Sequence, residues 1–224
     1  SKSICLEAGI PLAGGHSIDS PEPIFGLAVN GLVDINNIKQ NNRAAAGNHL
    51  FLTKPLGVGI LTTAEKKGIL KEEHRGLAAK QMMQLNKAGE ALGKITGVTA
   101  MTDVTGFGLL GHLTEMAEGS GVSAVIDMKQ IPLITADLTF YIEQKSIPGG
   151  TNRNWDSYGD KIGSITDYQK AILADPQTSG GLLIAVDENA VDEVVGVLKE
   201  KGLENFIQPV GRLVEEKEKF VSVE

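Results

Sequence analysis

GVTAMTDVTGFGLLGH, the stretch from Gly97 to His112, says more about the fold than any other part of the sequence. Val98, Ala100 and Met101 form an apolar run of strand length, and glycines then interrupt it. Apolar residues from Leu109 to Ala117 follow at helical spacing. The stretch therefore predicts a strand, a tight turn and a helix.

Short polar side chains mark the end of this predicted strand. Thr102, Asp103 and Thr105 stand just before a helix whose first N–H groups lack partners within the helix. One interpretation is that Asp103 or Thr105 is only an N-cap. The other starts from Gly106 and Gly108, which let backbone N–H groups approach an anion at the helix N-terminus. A carboxylate beside a bound phosphate needs a cation between them, so Asp103 is our candidate ligand for Mg2+.

The same glycines also fit a competing motif. Gly106, Gly108 and Gly111 match G-x-G-x-x-G, and Asp127 follows about 20 residues later, as in a dinucleotide-binding unit. This alternative predicts an NAD-binding oxidoreductase. It ranks second, because the first strand of such a unit is usually apolar up to the first glycine, whereas this strand ends in polar residues.

Composition limits the classes of function. The 224 residues carry a net charge of −7 and no basic cluster, which excludes the electrostatic footprint of a nucleic-acid-binding protein. No apolar run approaches bilayer length and no leader segment is visible, so we expect a soluble, cytoplasmic protein. The single cysteine, Cys5, excludes an internal disulfide, and we expect it to be a buried apolar residue without chemistry.

Other polar segments beside apolar runs are candidate anion sites. A short strand is expected at Ile10–Ala13, and it ends in Gly14-Gly15-His16-Ser17, which predicts either a nest of backbone N–H groups or an ordinary turn. Lys54 ends an apolar run that begins at Leu50, and it could face a phosphate or only solvent. Arg153 lies in a region, 128–166, that we expect to be irregular; it is a guanidinium for an anion or part of a plain surface loop.

The segment DPQTSGG, Asp175 to Gly181, precedes an apolar strand at Leu182–Val186. A loop that needed only a turn would not require Gln, Thr, Ser and two glycines together. It is the third polar, glycine-bearing loop next to a predicted strand. Three such loops favour a site that several loops build together.

The rest of the sequence predicts conventional elements. A buried strand interrupted by glycine is expected at Ile24–Val33, followed by a domain boundary near residue 46. A helical pattern extends from Leu77 to Leu92, and an amphipathic helix from Glu188 to Lys201. Ile207–Val214 and Phe220–Val223 predict a C-terminal hairpin.

Five motifs together resemble selenophosphate synthetase, one of a wider group of ATP-using enzymes that includes aminoimidazole ribonucleotide synthetase and a hydrogenase maturation factor. The resemblance extends in order over nearly the whole chain. Two motifs, TDVTGFG and DPQTSGG, are shared across the wider group, and the first and fourth below point to the selenium enzyme. The motifs are GGHSIDSPEPIFGLAV at Gly14–Val29, TKPLGVG at Thr53–Gly59, TDVTGFGLLGH at Thr102–His112, GGTNRN at Gly149–Asn154 and DPQTSGGLL at Asp175–Leu183.

The resemblance implies a reaction in which selenide, ATP and water give selenophosphate, AMP and orthophosphate, with Mg2+ required. It implies that Asp103 binds the metal and that Gly15, His16 and Ser17 contact ATP in a site shared across a homodimer. It implies an α+β fold, in which the end of an α/β ATP-binding and dimerisation domain precedes a layered domain with a mixed sheet. Phosphate or active-site contacts are expected at a further set of residues: Lys54, Thr151, Asn152, Arg153, Thr178, Ser179 and Gly180.

The family's reactive cysteine or selenocysteine, its partner lysine and its other metal-binding aspartates match no position in this sequence. Cys5 does not correspond to the reactive residue, so no catalytic residue is expected within the chain. We expect residues 1–46 to be the end of the ATP-binding domain and residues 47–224 to be the synthetase domain. On this interpretation the 224 residues alone are inactive. Two further hypotheses are a related ATP-dependent enzyme that activates an amide or carbamoyl oxygen, and a structural or dimerisation module.

Overall fold

The structure is a computed structural model that describes residues 2–224 and contains two compact units. The first unit ends at Ile38, and the second extends from Lys39 to Glu224. In the first unit, helix α1 spans Lys2–Ala8 and buries Cys5, as expected. A short 3-10 helix, Ile35–Asn37, ends this unit, and Asp34 caps it by accepting a hydrogen bond of 2.8 Å from the Asn36 N–H.

The strands predicted in the first unit are wrong. Ile10–Ala13 and Ile24–Val33 have no regular secondary structure, and Ile24 and Phe25 are 73% and 75% exposed. The apolar pattern alone cannot make a strand, because a strand needs a neighbour to bond its backbone. None of the strand pairs formed by residues 2–224 includes these segments.

The second unit is built on a sheet that has six strands within the described residues, in the order β2-β4-β1-β5-β3-β6. Neighbouring strands are antiparallel except β3 and β6, which are parallel. The expected mixed sheet is therefore confirmed. The strands are β1 His49–Leu52, β2 Val98–Asp103, β3 Val122–Ile126, β4 Leu182–Val186, β5 Gly211–Glu215 and β6 Val221–Val223.

Helices connect the strands and cover both faces of the sheet. Alternate residues of β4 belong to different apolar clusters: Leu183 and Ala185 to the larger one, Ile184 and Val186 to the smaller. Because both faces of β4 are covered, all five of its residues are buried, which explains the unbroken apolar run in the sequence. The helices are α2 Val58–Lys66, α3 Leu77–Met83, α4 Ala88–Gly93, α5 Gly108–Ser120, α6 Leu138–Glu143, α7 Gly149–Tyr158, α8 Asp167–Leu173 and α9 Val191–Glu200.

The helix predicted from Leu77 to Leu92 is interrupted, and α3 and α4 are separate. The interruption serves tertiary contacts, because the ammonium of Lys54 donates to the Gln84 carbonyl at 2.7 Å. The side-chain amide of Asn86 donates to the Gly180 carbonyl at 2.9 Å. Helical spacing in the sequence cannot reveal such long-range bonds.

The predicted C-terminal hairpin is also wrong, because β3 lies between β5 and β6 and pairs with both. The hydroxyl of Ser123, in β3, donates to the Lys219 carbonyl and accepts from the Lys217 N–H, at 3.1 and 2.9 Å. These bonds hold the connection between β5 and β6 against the end of β3. In residues 2–224, no helix combines the length and apolar character needed to cross a membrane.

Candidate functional site

Four of the sequence motifs meet at one edge of the sheet. Strand β4 lies between β1 and β2 and is antiparallel to both, so the ends of β1 and β2 meet the start of β4. Leu52 pairs with Leu183, and Asp103 pairs with Leu182. The segments TKPLGVG, TDVTGFG and DPQTSGG therefore leave the sheet side by side, and helix α7, which carries GGTNRN, packs against them.

Asp103 is the last residue of β2, and its side chain is exposed. Helix α5 begins five residues later at Gly108, and within the described chain no side-chain hydrogen bond caps its N-terminus. The predicted strand, turn and helix are thus confirmed. The N-cap interpretation of Asp103 and Thr105 is wrong, because Phe107 occupies that position.

His112 holds the turn that follows Asp103. Its Nε2 accepts a hydrogen bond of 3.0 Å from the backbone N–H of Thr105, and its ring is 8% exposed. Burial lowers the pKa of His112, although the negative charges of Asp103 and Glu115 oppose this shift. An accepting Nε2 places the proton of the neutral ring on Nδ1, which is buried without a hydrogen-bond partner among residues 2–224. The sequence motif contains this histidine, but residue spacing alone did not indicate its role.

Lys54 is buried, with 3% of its surface exposed. Its ammonium donates to the carbonyls of Gln84 and Ser179, both at 2.7 Å, and burial lowers its pKa. An ammonium has three donors. The two carbonyls take two of them, so Lys54 can offer one N–H to a ligand while it fixes the DPQTSGG loop.

Asp175 and Gln177 supply the cap of helix α2 from a distant part of the chain. Asp175 Oδ2 accepts from the Gly59 N–H at 3.0 Å, and Gln177 Oε1 accepts from the Val58 N–H at 3.3 Å. Within α2 these N–H groups would have no partner, because they lie in the first turn. Asp175 is fully buried, and burial raises its pKa to about 7 against the hydrogen bonds that favour its ionised form. Neither role could be predicted from the sequence, because the bonded residues lie far apart in the chain.

The two glycines of DPQTSGG allow the loops to approach each other closely. A side chain at Gly180 would overlap the Val104 carbonyl, and one at Gly181 would overlap the backbone of Lys54. The close approach permits a hydrogen bond of 2.8 Å from the Val104 N–H to the Gly181 carbonyl. Thr178 and Ser179, which precede the glycines, are exposed.

The motif GGTNRN does not form the expected loop, since all six of its residues lie in helix α7. Asn154 joins this helix to the other loops, because its amide donates to the carbonyls of Gly106 and Ala174 at 2.8 and 3.1 Å. Asn152 and Arg153 are exposed. The expected irregular region 128–166 therefore contains two regular helices, α6 and α7.

Thr151 and Asn152 line a cavity of about 520 Å³ between α6, α7 and α8. Thr151 is 1% exposed, and in the described part of the chain its hydroxyl has no hydrogen-bond partner. Gly15, His16 and Ser17 belong to the first unit, where all three are exposed.

The topology rejects the NAD-binding interpretation. A dinucleotide-binding unit needs neighbouring parallel strands. Within residues 2–224, β2 pairs only with the antiparallel β4, and three strands separate β2 from β3. The glycines instead serve internal packing. A side chain at Gly108 would lie 2.8 Å from the backbone of Ala174, and one at Gly111 would lie 2.9 Å from the ring of Tyr158.

One other group of side chains has the spacing of a metal site. Glu73, His74 and Asp137 bring possible ligand atoms within 4.8 Å of one another. Two of the three are already hydrogen-bonded: Lys71 donates to Asp137 at 2.5 Å, and the two ring nitrogens of His74 contact Tyr141 and Thr135. Glu73 is exposed. This group is an ion-pair and hydrogen-bond network between two connecting segments.

A family model described as "AIR synthase related protein, C-terminal domain" matches residues 45–224. The chain belongs to this family. The same chain is also similar to proteins named "Selenide, water dikinase", and this similarity confirms the resemblance seen in the motifs. The protein from Haemophilus influenzae is 56% identical over 98% of the chain, and that from Photorhabdus laumondii is 53% identical over 100%. The chain spans 63% of the length of each.

Solved structures share the fold of the AIR synthase related chain at low sequence identity. One is the hydrogenase maturation protein HypE in complex with ATP, with a TM-score of 0.58, 17% identity, and coverage of 86% of this chain and 51% of that one. Another is thiamine-monophosphate kinase from Stenotrophomonas maltophilia, with a TM-score of 0.56, 16% identity, and coverage of 83% and 52%. These structures support the α+β layered fold.

Proposed function

We propose that the protein containing this chain makes selenophosphate from selenide, ATP and water, and releases AMP and orthophosphate. The observation that carries the proposal is the meeting of four motifs at one sheet edge, in a chain 53–56% identical to proteins named "Selenide, water dikinase". Phosphoryl transfer depends mainly on positioning and on neutralising charge. An edge where several loops are fixed by mutual hydrogen bonds suits that task.

Asp103 is the proposed Mg2+ ligand. The fit rests on its chemistry and position: it is an exposed carboxylate at the end of β2, close to the uncapped N-terminus of α5. Mg2+ prefers oxygen ligands and is usually bound by one or two carboxylates together with phosphate oxygens and waters. When bound, Mg2+ neutralises phosphate charge. Asp103 would orient it beside the helix N-terminus, where an anion is favoured.

The other proposed contacts are with ATP or its phosphates. Gly15, His16 and Ser17 contact the nucleotide, and Lys54 offers its remaining N–H to a phosphate. Other polar groups near the loop cluster, some exposed and some buried, complete the set. These are Thr178, Ser179 and Gly180 in the DPQTSGG loop, and Thr151, Asn152 and Arg153 in α7.

The proposed organisation follows the family resemblance. Residues 1–46 belong to an ATP-binding and dimerisation domain, and residues 47–224 form the synthetase domain. The ATP site is shared between two copies in a cytoplasmic homodimer.

Phosphorus NMR on the full-length protein with ATP, Mg2+ and selenide tests the proposal. Wild-type protein should give selenophosphate, AMP and orthophosphate, and Asp103→Ala should lower the rate at least about 100-fold, which corresponds to about 3 kcal/mol. Asp127→Ala is the matched control, because Asp127 also follows a strand and is partly exposed, but caps a 3-10 helix. Selenophosphate formation by Asp103→Ala at the rate of the control would disprove the metal role. No selenophosphate from wild-type protein would disprove the reaction.

A further inference from the structure

Gln177 is the centre of the hydrogen bonds that join the loops at the candidate site. Its side-chain NH2 donates to Asp175 Oδ2 at 2.7 Å and to the Asp175 carbonyl at 2.8 Å. Its side-chain oxygen accepts from the Val58 N–H, and its backbone N–H donates to the Thr105 carbonyl at 3.0 Å. One residue that is 3% exposed thus bonds its own motif to two of the other three.

Asp175 fixes the orientation of Gln177. Its Oδ2 accepts from both the Gly59 N–H and the Gln177 amide, so the Gln177 amide cannot rotate by half a turn without placing its oxygen against the carboxylate. The Gln177 oxygen then faces the Val58 N–H. Both residues are buried, so none of these bonds is readily replaced by a bond to water.

The loop that contains this pair is bonded to the residues after Asp103. The Thr105 carbonyl accepts from the backbone N–H of Gln177. The Val104 N–H donates to the carbonyl of Gly181, which lies four residues after Gln177 in the same loop. On the opposite side, the Ser179 carbonyl is held by Lys54. The loop 175–181 therefore bridges the end of β1 and the turn after β2, and its own position depends on the cap of α2.

We propose that Asp175 and Gln177 are positioning residues that hold Asp103 and its turn in the geometry needed to bind Mg2+. The inference deepens the proposed function and rests on it for the identity of the ligand. Neither side chain reaches a substrate in this arrangement. Their side chains fix the loop 175–181 on α2, and the backbone of that loop in turn bonds Val104 and Thr105.

The test removes the polar end of the Gln177 side chain. Gln177→Met keeps the length of the side chain but removes both the acceptor for the Val58 N–H and the donors to Asp175. Gln144→Met is the matched control, because Gln144 is exposed. The readouts are amide hydrogen exchange of residues 103–108, measured by mass spectrometry on the full-length protein, and the Mg2+ concentration that gives half-maximal activity.

Gln177→Met should increase exchange of residues 103–108 at least about tenfold, while residues 191–200 in α9 keep their wild-type rate. The Mg2+ requirement should rise by a similar factor, and Gln144→Met should leave both values within about threefold of wild type. If Gln177→Met does not fold, Gln177→Asn, which shortens the side chain and keeps its amide, carries the same expectation for exchange.

Unchanged exchange in Gln177→Met, or an equal increase in Gln144→Met, would overturn the positioning role. The exchange measurement does not require turnover. A wild-type protein that makes no selenophosphate would therefore refute the proposed function and leave the hydrogen-exchange result to decide the inference.

Discussion

Replacing Asp175 by asparagine should change how the stability of this protein depends on pH. Burial raises the pKa of Asp175 to about 7 in the folded chain, whereas an ordinary aspartate has a value of 3.8. Between these values the folded protein keeps a proton that the unfolded chain has lost. The free energy of unfolding therefore falls as pH rises from about 4 to about 7, which is opposite to the usual effect of a salt-bridged aspartate.

The magnitude follows from the two pKa values. One pKa unit corresponds to about 1.4 kcal/mol, so the wild-type protein should lose about 4 kcal/mol of stability through this group over that pH range. Asparagine does not titrate and keeps an oxygen that can accept from the Gly59 N–H, but its NH2 replaces the buried Oδ1. The free energy of unfolding of the variant should therefore be equal to or slightly below that of wild type at pH 4, and above that of wild type at pH 8.

Urea denaturation at several pH values measures this difference, with the fluorescence of Trp155, the single tryptophan, as the probe. Asp127→Asn is the control, since this partly exposed carboxylate also accepts a backbone hydrogen bond, from Lys129 at 2.9 Å. Subtracting wild type from variant at each pH removes the contributions of all other groups. If the stability difference between Asp175→Asn and wild type is constant from pH 4 to pH 8, the reasoning about burial is refuted.

Three further substitutions test the packing of the site by thermal and urea denaturation. Gly180→Ala should lower the free energy of unfolding by about 2 kcal/mol or more, because the methyl group would overlap a backbone carbonyl. Gly196→Ala, with open space in α9, should raise it by about 0.5–1 kcal/mol. Equal effects of the two substitutions would contradict this prediction. Thr151→Val should raise the free energy of unfolding by about 1 kcal/mol, because it removes a buried hydroxyl that has no hydrogen-bond partner in residues 2–224. A loss of stability would instead indicate that the hydroxyl has a partner. Lys54→Met should lower the free energy of unfolding by about 2 kcal/mol, because two hydrogen bonds to carbonyls are lost. The same change at exposed Lys80 should have little effect. A similar loss of stability at both positions would argue against the bridging role of Lys54.

Local patterns were sufficient where local forces decide the structure. The strand, turn and helix around Asp103 follow from apolar spacing and glycine, and both are properties of neighbouring residues. The buried strand at Leu182–Val186 was predicted with its exact bounds, because an unbroken apolar run of that length is typical of a strand covered on both faces.

Local patterns failed where a distant partner decides the structure. The apolar segment Ile24–Val33 has the composition of a strand but no pairing neighbour within residues 2–224. The helix predicted over Leu77–Leu92 is interrupted by bonds from Lys54 and to Gly180, which lie far away in sequence. Strand β3 enters between the two strands of the expected hairpin for the same reason.

The sequence by itself determined the family, the mixed α+β character and the motifs from which the site is built, because these depend on residue types in a fixed order. Only the tertiary structure decided that the motifs share one sheet edge and that Asp175 and Gln177 hold them together. The physical reason is the cap of α2: its N–H groups find their acceptors more than 110 residues away, at 116 and 119 positions along the chain. Spacing in a sequence carries no information about a bond of that range.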